Sequence, residues 1–374
     1  MILTAGPSIT NKEISYVNDA VKNGWNKNWN NYLTKLESSF KNYYKVKYAI
    51  PTSSCTGGMH LILKALGLKK GDEVIVPDTT WVATASVVKY VGAKIVFADI
   101  DPETWTICPK SIEKKINNKT KAIIAVHLYG HPPKMDEIVK ISKRYRIHLI
   151  EDAAPAIGAK YNDKLAGTFG IAAAFSFQGA KLVVSGEGGM IITSSSSLNK
   201  KIKQLAAHGR GNNKKKGAFW IEKIGYKYSM SNIQAALCLA QFERLKELVD
   251  KKRKIFSWYE KKLKNFDKVK LNKEKKLVKS IYWMTSIMLV KKKIEKNINA
   301  LSLARILKKK GIDTRPIFPS ISTYPMWKSK NKFFSKELAK YGLNLPSGHN
   351  LSKKQVDYVA DTIIKTLTKT NLTR

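Results

Sequence analysis

A lysine stands just past an apolar run in Phe175-Ser-Phe-Gln-Gly-Ala-Lys181-Leu-Val-Val-Ser-Gly-Glu-Gly-Gly189, where an amine can be partly desolvated and become nucleophilic toward a carbonyl. On its own such a lysine is more often surface decoration, and Gly186-Glu-Gly-Gly is not the G-x-G-x-x-G of dinucleotide sites. Upstream, Glu151 and Asp152 close a second apolar run. An aspartate at such an edge either keeps a cofactor's ring nitrogen protonated or caps a helix. Ser53-Ser-Cys-Thr56-Gly57-Gly58 precedes an apolar helical pattern, so its hydroxyls and backbone N–H groups suit a phosphate or an ordinary cap. Trp81, after Val74-Ile-Val, is placed to stack on a flat ring or to enter the core. Together, an amine, a ring-nitrogen partner, a phosphate cradle and a stacking face are the parts of a pyridoxal phosphate site.

Those residues need strands to carry them. Val74-Ile-Val, Ile95-Val-Phe, Ala122 to Val126, Ile147 to Ile150, Ala172 to Phe177 and Met190 to Thr193 read as buried strands alternating with helical segments, which implies a mostly parallel sheet covered by helices. Thr10 and Glu13 form a capping box signature, with Ile9 and Ile14 as a staple. A helix is expected from Thr56 to a stop at Gly67. Beyond Arg244 the pattern becomes a Lys-rich helix from Leu245 to Phe266, a strand from Ile281 to Val290, a helix from Ala300 to Lys310 and a last helix over 352–368, capped by Ser352 and Gln355. The expected fold is α/β, with a large domain over residues 1–245 and a smaller C-terminal domain over 246–374.

Composition limits the function classes. The 374 residues are 43% hydrophobic, enough for a large core, and the longest apolar runs fall far short of the roughly 20 residues that span a bilayer. No secretory pattern opens the chain, and Cys55, Cys108 and Cys238 are too scattered for a disulfide framework or a zinc ribbon, so free thiols and a cytoplasmic location are expected. His127 and His131 lack a third ligand, and no metal is expected. The net charge of +40 would attract any anion, but it is carried by lysines spread over the whole chain, with only eight arginines.

The order of Gly6-Pro-Ser-Ile9, Gly24-Trp25, Val126-His-Leu-Tyr-Gly130, His208-Gly-Arg210, Gly225-Tyr-Lys-Tyr-Ser-Met-Ser-Asn-Ile-Gln-Ala-Ala236, Thr314-Arg-Pro316 and Leu345-Pro-Ser-Gly348 resembles the DegT/DnrJ/EryC1/StrS sugar aminotransferases over nearly the whole length. The resemblance implies a fold-type I pyridoxal-phosphate enzyme cycling through pyridoxamine phosphate. Lys181 would then bond to the cofactor and later shuttle a proton. Asp152 would hold the pyridine nitrogen protonated, and Trp81 would cover a ring face. Thr56, Gly57 and Ser176 would bind the phosphate, with Gln178 beside the cofactor and Lys227 reaching in from a second subunit of a homodimer. The chain departs from the family at Lys227 and Ser229, where Asn and Arg are frequent, at Pro155 and Gln178, and in the loop Lys27-Asn-Trp29-Asn-Asn-Tyr32. These changes bear on substrate choice.

The leading expectation is transfer of an amino group from L-glutamate to C4 of a nucleotide-linked 4-keto-6-deoxyhexose, as in perosamine or viosamine formation. Amination at C3 is the alternative within the family, and Lys181 argues against the dehydratase branch, which carries His there. A different class, a basic nucleic-acid-binding or regulatory protein on the same scaffold, would use Lys214 to Lys216, Phe219 and Trp220. No specific nucleic acid and no membrane insertion are expected.

Overall fold

The computed structural model describes residues 1–210 and 220–369. The basic, aromatic stretch from Lys214 to Phe219 lies outside them. The strands are β1 (Tyr48–Thr52), β2 (Glu73–Pro77), β3 (Lys94–Ala98), β4 (Thr120–Val126), β5 (His148–Asp152), β6 (Lys160–Tyr161), β7 (Lys164–Leu165), β8 (Ala172–Ser176), β9 (Gly189–Thr193), β10 (Val269–Leu271), β11 (Val278–Lys279), β12 (Ser286–Leu289), β13 (Arg315–Pro316) and β14 (Gly342–Asn344). The α-helices are α1 (Asn11–Asn23), α2 (Asn31–Tyr44), α3 (Cys55–Ala65), α4 (Ala83–Tyr90), α5 (Pro109–Glu113), α6 (Met135–Arg144), α7 (Ser196–Ala206), α8 (Asn232–Glu243), α9 (Leu245–Leu263), α10 (Ala300–Lys309), α11 (Phe334–Tyr341) and α12 (Lys353–Lys369).

Seven strands form the main sheet in the order β1-β9-β8-β5-β4-β2-β3. β3, β2, β4, β5 and β8 run parallel, whereas β9 pairs antiparallel with both β8 and β1, so the sheet is mixed at one end. The period of two along β8 sends Phe175 to one side, where Phe40, Tyr44 and Phe177 pack around it, and Ala172 and Ala174 to the other, against the apolar side chains of α3. Small residues at these positions let a helix lie close on a parallel sheet. The C-terminal portion adds a four-stranded antiparallel sheet, β10-β12-β14-β13, packed with α9 and α12.

The expected capping boxes are present at Thr10 with Glu13 and at Ser352 with Gln355. Ile9 and Ile14 stay about half exposed. The expected strand from Ile281 to Val290 is shorter, because residues 281–285 leave the ladder around Tyr282, which has a φ of 48°, and only Ser286–Leu289 pair. This irregular stretch delivers Trp283 to the site described below.

Glu13 ties the first helix to the body of the protein. Its carboxylate accepts from the Thr10 amide and hydroxyl, from Gln241 Nε2 at 2.7 Å and from Arg244 Nη1 at 2.6 Å. Burial pushes its pKa up, but these donors, Thr10 and Arg244 foremost, outweigh it and hold the group at about 2. A depressed carboxylate contributes stability that is complete above its unfolded pKa near 4.5 and lost as pH falls toward 2. Glu13→Gln is therefore expected to lower Tm at neutral pH, with the gap to the parent narrowing between about pH 4.5 and 2. Thermal melts across that range check the sign.

Candidate active site

Lys181 lies in the loop that joins β8 to β9. The antiparallel hairpin continues past the strands, with Phe177 N–H donating to Gly188 O and Gly179 N–H to Gly186 O at 2.9 Å each, and Lys181 N–H closing a turn onto Gln178 O at 2.8 Å. The residue as a whole is half-buried, but its Nζ is enclosed by protein. Burial lowers its pKa below the ordinary lysine value, while Asp152 and Cys55 pull the other way. The result is an amine more readily neutral than a surface lysine, close to a carboxylate. Its Nζ lies 3.9 Å from the centroid of the Trp283 ring.

Asp152 ends β5, one strand away in the sheet, and is 6% exposed. Its Oδ2 accepts from the Thr84 hydroxyl at 2.7 Å and its Oδ1 from Ala154 N–H at 3.1 Å. Thr84 is in turn bonded to Thr80, four residues earlier. Among the described residues no Lys, Arg or His is within ion-pair distance of this carboxylate. Glu151, its neighbour in sequence, points to the opposite face of β5. There it accepts from Gly167, Phe169 and Gly170 N–H groups at 2.6–2.7 Å and pairs with His127 Nε2 at 2.9 Å. The strand period thus separates a structural carboxylate from one on the side of Lys181, whose charge it acts on. His127 is used by this network and His131 Nδ1 meets the Pro132 carbonyl, and among the described residues no group of three ligand-type side chains is placed to hold a metal.

The phosphate-binding candidates lie at the start of α3. Ser54 is the N-cap, its Oγ accepting from Gly57 N–H at 3.0 Å, so that amide is already engaged by the cap. Thr56 is half-buried in the first turn, which carries no acidic residue and presents the positive end of the helix dipole. Ser176, at the end of β8, is buried, and its Oγ accepts a long 3.4 Å contact from Gln178 N–H. The Gln178 side chain is exposed and bonds back to Ala180 N–H at 2.9 Å. Gly189 lets these parts meet: a Cβ there would lie 2.6 Å from the backbone of Ser54 and Cys55. Gly189→Ala is expected to push the start of α3 away from the hairpin and weaken phosphate affinity at least about tenfold, a loss of roughly 1.4 kcal/mol. Inorganic phosphate binding measured by calorimetry, with a Tm control, checks it.

Trp81 is 59% exposed and tilts against Phe318 at 5.6 Å. The buried Asp78 anchors its loop by accepting from Ser322 N–H at 2.7 Å and the Ser335 hydroxyl at 2.6 Å. Phe318 stacks on Tyr129, and Tyr129 on Trp283, so an aromatic wall runs from Trp81 to the ring beneath Lys181. Part of it lines a cavity of about 480 Å³ shared with Ala180, Arg315 and Asn344. Lys227 lines a different cavity, of about 730 Å³, with Trp25, Trp29, Lys203, His208 and Arg210. One chain therefore gathers Lys181, Asp152, Cys55 and Trp283 around one point and leaves Lys227 elsewhere. Thr84 and Trp283 went unread in the sequence; the Thr80-x-x-x-Thr84 spacing after β2 is the only local signal for either.

An amine on a hairpin beside a lone buried carboxylate, over a mixed seven-stranded sheet and with a smaller C-terminal unit, defines a fold-type I aminotransferase architecture. The DegT/DnrJ/EryC1/StrS aminotransferase family model matches residues 7–364. The chain belongs to that family. It is 41% identical to the GDP-perosamine synthase of Escherichia coli O157:H7 over 359 residues, covering 96% of each chain, and 35% identical to that of Vibrio cholerae, covering 97% of this chain and 98% of the other. The putative sugar aminotransferase Spr1654 from Streptococcus pneumoniae, in its PMP form, has the same fold, with a TM-score of 0.90 over 99% of this chain and all of that one at 24% identity.

Proposed function

We propose that the protein is a pyridoxal-phosphate-dependent aminotransferase that moves an amino group from L-glutamate to C4 of a GDP-linked 4-keto-6-deoxyhexose. The observation that carries the cofactor reading is the buried Asp152 carboxylate, with no cation at ion-pair distance among the described residues and held by Thr84 and Ala154, near the enclosed amine of Lys181. A protonated ring nitrogen completes such a carboxylate, and the anion-free helix start at Ser54 to Gly57 suits a phosphate, so the residues fit the group. Bound there, pyridoxal phosphate supplies an electron-withdrawing ring and a carbonyl carbon that takes up and gives back the amino group. Lys181 Nζ would hold the group through that carbon, with loss of water, and once freed by the donor amine would serve as the base that moves the proton. Asp152 keeps the ring nitrogen charged, and Thr84 keeps Asp152 oriented. The similarity to the GDP-perosamine synthases of two species supports the acceptor. Product analysis with GDP-, dTDP- and UDP-linked 4-keto-6-deoxyhexoses tests it: amination at C4 of the GDP sugar is expected, and exclusive C3 amination or a strict dTDP preference would overturn the acceptor assignment while leaving the cofactor chemistry intact.

We also propose a homodimer with shared sites. Trp25, Trp29, Ile221, Ile224 and Ile233 are exposed, Ile224 to 89%, and Trp25, Trp29 and Ile233 border the cavity that holds Lys227. An apolar patch of this kind marks an interface, and a second copy would give Lys227 an anion to meet. Mixing Lys181→Ala with Lys227→Ala protein is expected to restore activity through hybrid dimers. The division into a large and a smaller domain is placed at residues 245 and 246, and the location is taken as cytoplasmic, in keeping with three cysteines that form no disulfide among the described residues. No helix among those residues is long and apolar enough to cross a membrane.

A further inference from the structure

Trp283 is linked to Lys181 by more than proximity. Its indole Nε1 donates to the carbonyl of Ala180 at 2.7 Å, which fixes the ring to the backbone immediately before the lysine. Its face lies under the Lys181 ammonium. Tyr129 stacks on it at 5.9 Å, and the Tyr129 hydroxyl is itself held by Phe318 N–H at 3.1 Å. The main chain approaches because residue 130 is glycine: with φ of 93°, it accepts Ile281 N–H and the Ser280 hydroxyl on its carbonyl, and a Cβ there would lie 2.6 Å from Ile281 Cγ1 and 3.1 Å from the backbone nitrogen of Trp283.

The tryptophan is also held from behind. Lys252, on α9, is 3% exposed, and its ammonium donates to the Trp283 carbonyl at 3.1 Å and to the Ser347 carbonyl. No carboxylate pairs with it among the described residues, and burial pushes its pKa down to about 7. A buried lysine facing two carbonyls is costly unless those carbonyls need it. One bond leads to the residue that supports the nucleophile and the other to the Leu345-Pro-Ser-Gly348 segment, so Lys252 ties three chain segments to one geometry.

We propose that Trp283 is a positioning residue for the Lys181 amine, holding it over the indole face whenever it is not bonded to carbon, and that Lys252 fixes Trp283 through its carbonyl. This rests on the reading of Lys181 as the nucleophile. An ammonium on an indole face is attracted by the ring quadrupole, and a neutral amine far less, so the contact favours the charged form and one rotamer of a long, flexible side chain. The titratable groups facing Lys181 are Asp152 from β5 and Cys55 from α3, which also favour the ammonium; burial opposes all three contacts. Once it has taken the proton from the donor carbon it is an ammonium, and the indole holds it within reach of the carbon to which that proton goes.

The test uses the full chain stripped of cofactor. Reaction of Lys181 with formaldehyde and a reductant is followed by mass spectrometry as a function of pH, for the parent, Trp283→Leu, Trp283→Phe, Lys252→Met and Lys252→Arg, with circular dichroism confirming the fold. Trp283→Leu is expected to move the Lys181 titration to lower pH and raise its labelling rate at neutral pH about three- to tenfold, in line with a cation–π contact. Trp283→Phe keeps a ring and is expected to fall between. Lys252→Met is expected to follow Trp283→Leu, and Lys252→Arg to restore the parent profile. In the holoenzyme the same variants should lower kcat with little change in KM for L-glutamate. Folded Trp283→Leu and Trp283→Phe proteins with an unmoved Lys181 titration would overturn the proposal. Absence of any Lys181 adduct with pyridoxal phosphate in the parent would instead overturn the underlying reading, which the formaldehyde titration does not depend on.

Discussion

Lys181→Ala is expected to abolish turnover, with a loss on the order of 10⁴-fold or more, while leaving the fold intact. Removing a nucleophile that is also the proton carrier eliminates two roles at once, and such losses are not additive with those of its neighbours. The side chain sits on a loop whose turn is made by backbone bonds, Lys181 N–H to Gln178 O and Gly179 N–H to Gly186 O, so truncation at Cβ leaves those bonds in place. It also removes the enclosed amine and leaves the buried Asp152 carboxylate with its bonds to Thr84 and Ala154. Steady-state assays with matched melting curves check the separation of activity from stability. Small primary amines added to the assay should return part of the proton-transfer rate, because truncation vacates the place above Trp283 that the Lys181 amine occupies. A variant that retains more than about a hundredth of the parent kcat would be at odds with a nucleophilic role.

Asp152→Asn is the second large effect. The amide has nearly the volume of the carboxylate and can still accept from Thr84, but it carries no charge to hold a proton on a ring nitrogen. Removing a fixed charge aimed at the reacting group costs about 10²–10³-fold in kcat. A second consequence follows from its position beside the lysine. Asp152 raises the pKa of Lys181, whereas burial lowers it. Without the carboxylate the amine should titrate at lower pH, and the acid limb of the pH–rate profile should move in that direction. Comparison of kcat profiles for the parent, Asp152→Asn and Thr84→Val separates charge from orientation: Thr84→Val should lower kcat less and leave the limb in place.

Much of the framework could be read from local signals. The capping boxes at Thr10–Glu13 and Ser352–Gln355 depend on residues three apart, and the strands of the main sheet announce themselves as short β-branched runs. Lys181, Asp152 and the start of α3 were legible because each lies at the end of a strand or beside one. What the chain order conceals is contact between distant segments. Trp283 reads as one residue of a continuous strand from Ile281, and only the turn at Tyr282 and the approach of Gly130 bring it to a lysine about a hundred residues earlier. Glu151 and Asp152 look alike in sequence and are divided by the alternation of β5, which sends the first to three backbone amides and the second to Thr84. The engagement of Gly57 N–H by Ser54 depends on a rotamer, and Lys227 lines a cavity that its own chain keeps apart from Lys181.

The most direct measurement is the visible absorption spectrum of the protein with pyridoxal phosphate, before and after L-glutamate, with Lys181→Ala alongside. The account predicts a yellow band in the parent that bleaches with glutamate and returns when a GDP-linked 4-keto-6-deoxyhexose is added, and no such band in the variant. A band that forms equally without Lys181, or one that glutamate leaves unchanged, would contradict it.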